Sequence, residues 1–173
     1  MLRSNHRLVC IISLLVLFQT SADETSLETE MVEAHNRFRS RLRSGREMRQ
    51  PKAKELADVA WDNDLASNAQ KHAEQCSTDH NSEYDRRDPR FQYVGQNIYV
   101  TADVNMTIPK IVEAWYEELV DFDHEKNECS FICDQYLQLA YVDTTHIGCG
   151  RSICSRIPGI GKGLIVVCDY GEG

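Results

Sequence analysis

The most informative part of the chain is residues 61–73, WDNDLASNAQKHA. They predict a helix from Leu65 to about Cys76, because its apolar residues recur every three or four positions, at Leu65, Ala69, Ala73 and Cys76. The preceding Asp and Asn residues are types that cap the start of a helix with a side-chain oxygen. This capped amphipathic helix is one of three that the sequence predicts.

The other two predicted helices lie on either side of this one. The first covers about 25–44, where the apolar spacing is again helical, at Met31, Ala34, Phe38 and Leu42. The second follows Thr107, a capping type, and tolerates Pro109 in its first turn. Its predicted buried face consists of Ile108, Ile111, Ala114, Trp115, Glu118 and Leu119. Unless Glu117 points inward or Glu118 lies at the rim, the Glu118 carboxylate must find hydrogen-bond partners or stay protonated.

Strands are predicted mainly in the second half of the chain. Three runs are rich in strand-forming residues: 94–100, 136–142 (YLQLAYV) and 164–170 (LIVVCDY). The glycine-rich segment 158–163 reads as a hairpin turn before the last run. Early helices and late strands without regular alternation favour an α+β fold, in which helices cover a largely antiparallel sheet.

The N-terminus has the layout of a secretory signal peptide. An apolar run at 8–18 follows two arginines and precedes small residues up to Ala22. A membrane anchor is the alternative, but it needs about 20 apolar residues. We therefore predict a signal peptide at 1–22, a single domain at 23–173, a secreted, extracellular protein and no transmembrane segment. The formal net charge of −8 over 173 residues argues against nucleic acid as a partner.

The cysteine content agrees with export. Of the seven cysteines, Cys10 lies in the predicted signal peptide, and six remain: Cys76, Cys129, Cys133, Cys149, Cys154 and Cys168. An even number in an oxidising compartment indicates three disulfides, while the spacings do not suit a tight zinc knuckle. Six cysteines allow fifteen pairings, and spacing alone does not choose among them. A sequon at Asn105 predicts a glycan on an exposed residue.

The common catalytic motifs are incomplete. No GxSxG is present, and HEKNE at 124–128 carries Glu128 where a zinc protease needs its second histidine. A basic stretch at 37–54 suggests either a heparin or phosphate patch or a solvated helix end and loop. Arginines two residues apart wind around a helix and do not line one face, which favours the second interpretation.

Six short motifs along 31–170 resemble, in order, those of the CAP superfamily. This group includes cysteine-rich secretory proteins, venom allergens and plant pathogenesis-related proteins, and the chain is most similar to its helminth venom allergen-like branch. The matching segments are HNRFR at 35–39, WDNDLASNAQKHA at 61–73, GQNIY at 95–99, WYEE at 115–118, YLQLAY at 136–141 with IGCG at 147–150, and VCDY at 167–170.

The resemblance implies a three-layer α-β-α sandwich with a mostly antiparallel central sheet, held by disulfides. It pairs Cys76 with Cys154, Cys149 with Cys168 and, by remainder, Cys129 with Cys133. The central cleft of proteins in this family carries two histidines and two glutamates that can bind a divalent metal. These four positions fall on His80, Gln96, Glu118 and Gln135, and only His80 and Glu118 keep the family's residue types.

This departure bears directly on function. Amides are poor zinc ligands, so we expect no metal, no cofactor and no catalytic residue in the cleft. The resemblance implies instead the binding or transport of a sterol or fatty acid, with a lipid-binding aromatic loop at Tyr116, Phe122 and Phe131. The alternative is that Phe122 or Phe131 simply fixes the loop to the core. Two other classes remain: an effector that acts on host extracellular receptors or proteases through its surface, and, least supported, a metal-dependent hydrolase.

Overall fold

The structure, a computed structural model, describes residues 26–47 and 50–173. The predicted signal peptide at 1–22 lies outside these residues. The helices are α1 (Leu27–Ser44), α2 (Asn63–Glu74), α3 (Glu83–Arg86), α4 (Ile108–Glu117), which continues into a 3-10 turn (Glu118–Asp121), and α5 (Asp134–Ala140). The strands are β1 (Ala60–Trp61), β2 (Val94–Thr101), β3 (Phe122–Asp123), β4 (Glu128–Cys129), β5 (Thr144–Ile157) and β6 (Gly161–Glu172).

Side-chain caps fix the starts of the first two helices. Ser26 accepts a hydrogen bond from the Thr29 N–H at the start of α1. Asp62 Oδ1 accepts from the N–H groups of Asp64 and Leu65 at the start of α2, which confirms the predicted cap. Thr107 precedes α4 as predicted, although its side chain makes no capping bond.

The main sheet has the strand order β1-β5-β6-β2. Its β5–β6 and β2–β6 pairs are antiparallel and the short β1–β5 pair is parallel, so the mostly antiparallel prediction is confirmed. Strands β3 and β4 form a separate antiparallel hairpin. Successive side chains of β6 enter two different cores. Val166 and Cys168 pack with α1, α4 and α5, while Ile165 and Val167 pack with α2. The helices therefore cover both faces of the sheet in three layers.

Two glycines allow α2 to lie directly on β5. A Cβ at Gly148 would lie 2.0 Å from the Ala66 nitrogen, and one at Gly150 would lie 2.2 Å from Gln70 Cα. The three disulfides are Cys76–Cys154, Cys129–Cys133 and Cys149–Cys168, the pairs that the family resemblance implies. None of the helices within the described residues is long and apolar enough to cross a bilayer.

The strand predicted at 136–142 is wrong, because this segment lies in and just after helix α5. Tyr136 and Leu139 are three residues apart and both are buried, whereas Leu137 is exposed, as on one face of a helix. The long strand β5 was not predicted, since its glycines weaken the strand pattern. The pairing of β5 with β6 and its packing against α2 stabilise the strand despite these glycines.

A buried arginine connects α1 to three other segments. Arg39 is 0% exposed, and its guanidinium donates to four main-chain carbonyls, those of Ala57, Leu139, Tyr141 and Thr144. Burial lowers its pKa to about 10, so the group remains charged at neutral pH. No carboxylate is hydrogen-bonded to it within the part of the chain that the structure describes; the carbonyl oxygens hold the cation.

We expect Arg39→Met to destabilise the fold strongly. The change leaves buried carbonyls without a donor, and each such group costs about 1–3 kcal/mol, so the total loss should reach at least about 3 kcal/mol. Urea unfolding followed by circular dichroism measures this loss. Arg37→Met, at an exposed position of the same helix, is the control and should cost less than about 1 kcal/mol. Equal losses in the two variants would contradict the role given to Arg39.

Candidate functional site

The first half of the predicted cleft, His80 and Gln96, belongs to a chain of hydrogen bonds that runs from the surface into the sheet. His80 Nδ1 donates to Gln96 Oε1 at 2.8 Å. Gln96 Nε2 donates to Asn81 Oδ1 at 3.0 Å and to Asp169 Oδ1 at 2.8 Å. His80 is exposed, Gln96 lies on β2, and Asp169 is its register partner on β6. The Gln96 amide therefore joins an accessible imidazole to a buried carboxyl group.

Asp169 is a buried acid that sequence reasoning did not assign to the site. It is 0% exposed, and its Oδ2 has no hydrogen-bond partner among the described residues. Burial raises its pKa from 3.8 to about 7, while the bond from Gln96 and the charge of Arg86 act in the opposite direction. The sequence feature that could have identified it is a single charged residue inside the apolar run LIVVCDY.

The second half of the cleft joins Glu118 to the start of α5. Glu118 Oε2 accepts from the N–H groups of Gln135, at 2.9 Å, and Tyr136, at 3.2 Å. Burial raises the pKa of Glu118, these two bonds lower it, and the nearby acids Asp134 and Asp121 raise it further. The carboxylate thus satisfies first-turn donors of a helix, as an N-terminal cap does.

A hydrogen bond from the Asn97 side chain to the main chain of Gln135 links these two halves. Asn97 Nδ2 donates to the Gln135 carbonyl at 3.0 Å, while the Gln135 side-chain Oε1 is buried without a partner among residues 26–47 and 50–173. No three His, Cys, Asp or Glu side chains of the described segments converge to hold a metal ion. One imidazole and one carboxylate, each engaged in its own half, do not fit a zinc centre, which needs three protein ligands at a catalytic site.

A large apolar cavity lies beside helix α5. Its volume is about 750 Å³, within the range of small-molecule pockets. Residues of α5 and of the segment that follows it form one wall, and the end of α1, the segment from Gln50 to Ala53 and the β3–β4 hairpin form the others. The apolar lining consists of Leu42, Pro51, Ala53, Phe122, Tyr136, Leu137, Ala140, Tyr141 and Val142. The α5 residues escaped prediction because their segment was assigned as a strand.

The three aromatic residues of the predicted lipid loop lie in different environments. Phe122 is half-buried and lines the cavity. Tyr116 is buried in the core, stacked on Phe38 with ring centroids 4.3 Å apart and edge-on to Tyr136. Phe131 is 79% exposed and lies outside the described lining of the cavity. The structure therefore brings only Phe122 directly to this cavity.

The basic stretch at 37–54 is dispersed over several contacts. Arg39 is buried, Arg41 lies over the rings of Phe38 and Tyr116, and Arg43 pairs with Asp58. These contacts agree with a helix end and loop, not with a single anion patch. The predicted glycan acceptor Asn105 is exposed.

Comparison with known proteins identifies the class of protein to which this chain belongs. Residues 32–170 match the sequence model described as CAP, the cysteine-rich secretory protein family, and the chain therefore belongs to that family. This confirms the resemblance drawn from the motifs.

Individual relatives include venom allergens. The chain is similar to GLIPR1-like protein 1 of Homo sapiens, with 32% identity over 81% of this chain, and to venom allergen 3 of Solenopsis invicta, with 37% identity over 82%. It spans 56% and 65% of these two proteins. Among solved structures it is similar to venom allergen-like protein 4 of Schistosoma mansoni, with a TM-score of 0.74 and 31% identity over 86% of this chain and 90% of that one.

We expect Asp169→Asn to stabilise the protein in a pH-dependent manner. Folded Asp169 keeps its proton up to about pH 7, whereas an unfolded aspartate loses it near pH 4. Wild-type stability should therefore fall as the pH rises from about 4 to 7, by at most about 1.4 kcal/mol per unit. The asparagine does not titrate, so the variant's advantage in melting temperature should be larger at pH 8 than at pH 5. An advantage of equal size at both pH values would contradict this assignment.

A second prediction concerns the Gln96–Asp169 pair. Gln96→Glu replaces a donor with an acceptor that faces two oxygens, and it should cost at least about 2 kcal/mol at pH 8. In the Asp169→Asn background the new amide can donate to Glu at position 96, so most of that loss should be recovered. A double-mutant cycle by urea unfolding measures the coupling. Single effects that add within about 0.5 kcal/mol would show that the two side chains do not interact.

Proposed function

We propose that this chain is a secreted, non-enzymatic CAP protein that binds or transports an apolar small molecule, either a sterol or a fatty acid. The observation that carries the proposal is the apolar cavity of about 750 Å³ beside Phe122 and α5. The bound molecule would contact the aromatic rings of Phe122, Tyr136 and Tyr141. Each large apolar side chain that such a ligand fully covers contributes roughly 1.5–3 kcal/mol.

The absence of catalysis is part of the proposal and draws support from the central cleft. There, the Glu118 carboxylate is engaged with main-chain donors of α5, and the His80 Nδ1 with an amide. These bonds give both groups a role in holding the cleft together. Export through the predicted signal peptide and a glycan on the exposed Asn105 also belong to this proposal.

One observation favours an interaction with extracellular host proteins as the second candidate. Val120 is 68% exposed, and Phe131 and Ile132 in the loop after β4 are exposed as well. Exposed aromatic and aliphatic side chains of this kind can anchor a protein interface. This candidate predicts capture of one specific host protein by lipid-free and lipid-loaded chain alike, with capture lost in Phe131→Ala.

We expect Phe122→Ala to weaken ligand binding while Phe131→Ala leaves it unchanged. Only Phe122 lines the cavity, and loss of its ring contacts should raise the dissociation constant about tenfold or more. Titration with fluorescent cholesterol and fluorescent palmitate measures binding, and thermal melting checks that both variants fold. Absence of saturable binding of either ligand to the wild type would reject the proposed function. Equal binding by the two variants would reject this cavity as its location.

A further inference from the structure

The short helix α3 carries a tyrosine whose side chain lies almost entirely in solvent. Tyr84 is 84% exposed, and its side chain makes no hydrogen bond, ion pair or ring contact within residues 26–47 and 50–173. Neither the cavity beside α5 nor the central cleft uses this residue. The phenol oxygen is therefore accessible to another molecule without any unfolding of the chain.

The backbone around Tyr84 is held in place, although the ring itself is free. Ser82 Oγ accepts from the Asp85 N–H at 3.1 Å and donates to the Asp85 carboxylate at 2.7 Å. Arg86 is buried, and its Nε donates to the carbonyl of Val94, the first residue of β2, at 3.3 Å. Side chains two residues apart point to opposite sides of a helical turn, so Arg86 anchors α3 to the sheet while Tyr84 projects outward.

Acidic residues flank Tyr84 on both sides. Glu83 precedes it and Asp85 follows it, and both are exposed. Asp79 is an exposed acid slightly earlier in the chain. In the stretch from Asp79 to Arg87, Arg87 is the one exposed lysine or arginine. Negative side chains therefore outnumber positive ones on the surface around the phenol.

No other tyrosine of the chain combines acidic neighbours with exposure. Tyr116 and Tyr170 each have an acid directly beside them in the sequence, but they are only 3% and 1% exposed. The other four have uncharged residues on both sides and are at most 42% exposed: Tyr93, Tyr99, Tyr136 and Tyr141. Sequence context alone would admit three of the seven tyrosines, and the fold leaves one accessible.

We infer that Tyr84 is a site of O-sulfation, modified during export by a sulfotransferase that recognises exposed tyrosines between acidic residues. This inference rests on the secretion included in the proposed function. The sulfate donor of such an enzyme is a nucleotide phosphosulfate, which carries several negative charges. An enzyme that binds this donor must present cations, and the acidic segment around Tyr84 is complementary to such a surface.

The transfer step balances without any change of oxidation state. The phenol oxygen of Tyr84 attacks the sulfur of the donor and forms a new oxygen–sulfur bond. The bond between that sulfur and the bridging oxygen of the donor breaks, and this oxygen leaves on the nucleotide phosphate. A base of the sulfotransferase takes the phenol proton. The product is a sulfate ester, which adds one permanent negative charge to an already acidic surface.

The test uses the full chain, exported by cultured animal cells and analysed by mass spectrometry. We expect one added sulfate, about 80 Da, on the peptide that contains Tyr84, and we expect it to resist alkaline phosphatase. Tyr84→Phe should lose this mass. Tyr93→Phe makes the same change at an exposed tyrosine without acidic neighbours and should keep it. A phosphate in place of the sulfate, or a sulfate on a different tyrosine, would overturn the inference.

Neutralising the flanking acids tests why Tyr84 is selected. Glu83→Gln combined with Asp85→Asn should lower the sulfate incorporated in a short labelling pulse about tenfold, although the phenol remains. Glu33→Gln combined with Glu55→Gln removes two exposed acids elsewhere and should leave incorporation unchanged. Equal incorporation in the two double variants would contradict the role given to the acids.

The same cells separate this inference from the proposed function. Wild-type chain that reaches the medium without sulfate would overturn the inference and leave export and lipid binding standing. Wild-type chain that stays inside the cells would instead reject the predicted export, and the inference with it.

Discussion

The placement of helix α5 depends on opposite charges at its two ends. Seven residues are too few to form a stable helix alone, because nucleation is unfavourable. At its start, the Glu118 carboxylate accepts from two first-turn N–H groups, and at its end the buried Arg39 donates to the carbonyls of Leu139 and Tyr141. These are the groups that a helix leaves unpaired, and each terminus receives the charge its dipole favours. Helix α5 forms one wall of the cavity and holds one half of the predicted cleft, so both depend on its placement.

The hydrogen bonds around Gln96 show how one amide can connect two other polar side chains. Gln96 has a donor and an acceptor in one group, and it uses them to join His80 to Asp169. A carboxylate at position 96 could not donate to Asp169. The acidic group of this network is instead the buried Asp169, whose pKa burial raises to about 7. The cleft is therefore a hydrogen-bonded connection between β2, β6 and the loop around His80.

Much of the framework could be predicted from local patterns. The α2 cap at Asp62, the apolar run of β6 and the hairpin before it depend on neighbours in sequence, and the sequence motifs identified the family. The segment 136–142 could not be assigned correctly, because Tyr, Leu and Val suit a strand and the groups that cap α5 lie far away in the chain. Asp169 was missed for a related reason: its role depends on a register partner, Gln96, 73 residues away.

The sequence by itself determined the class of protein, the helices and strands with strong local patterns, and the amides at Gln96 and Gln135. Each of these depends only on residues that are close together in the sequence. Only the tertiary structure decided which side chains line the cavity, which are buried in the core and which are exposed. It placed Phe122 on the cavity, Tyr116 in the core and Phe131 in solvent, although all three lie within residues 116–131. Packing and charge partners bring together residues distant in sequence, and no local pattern encodes those distances.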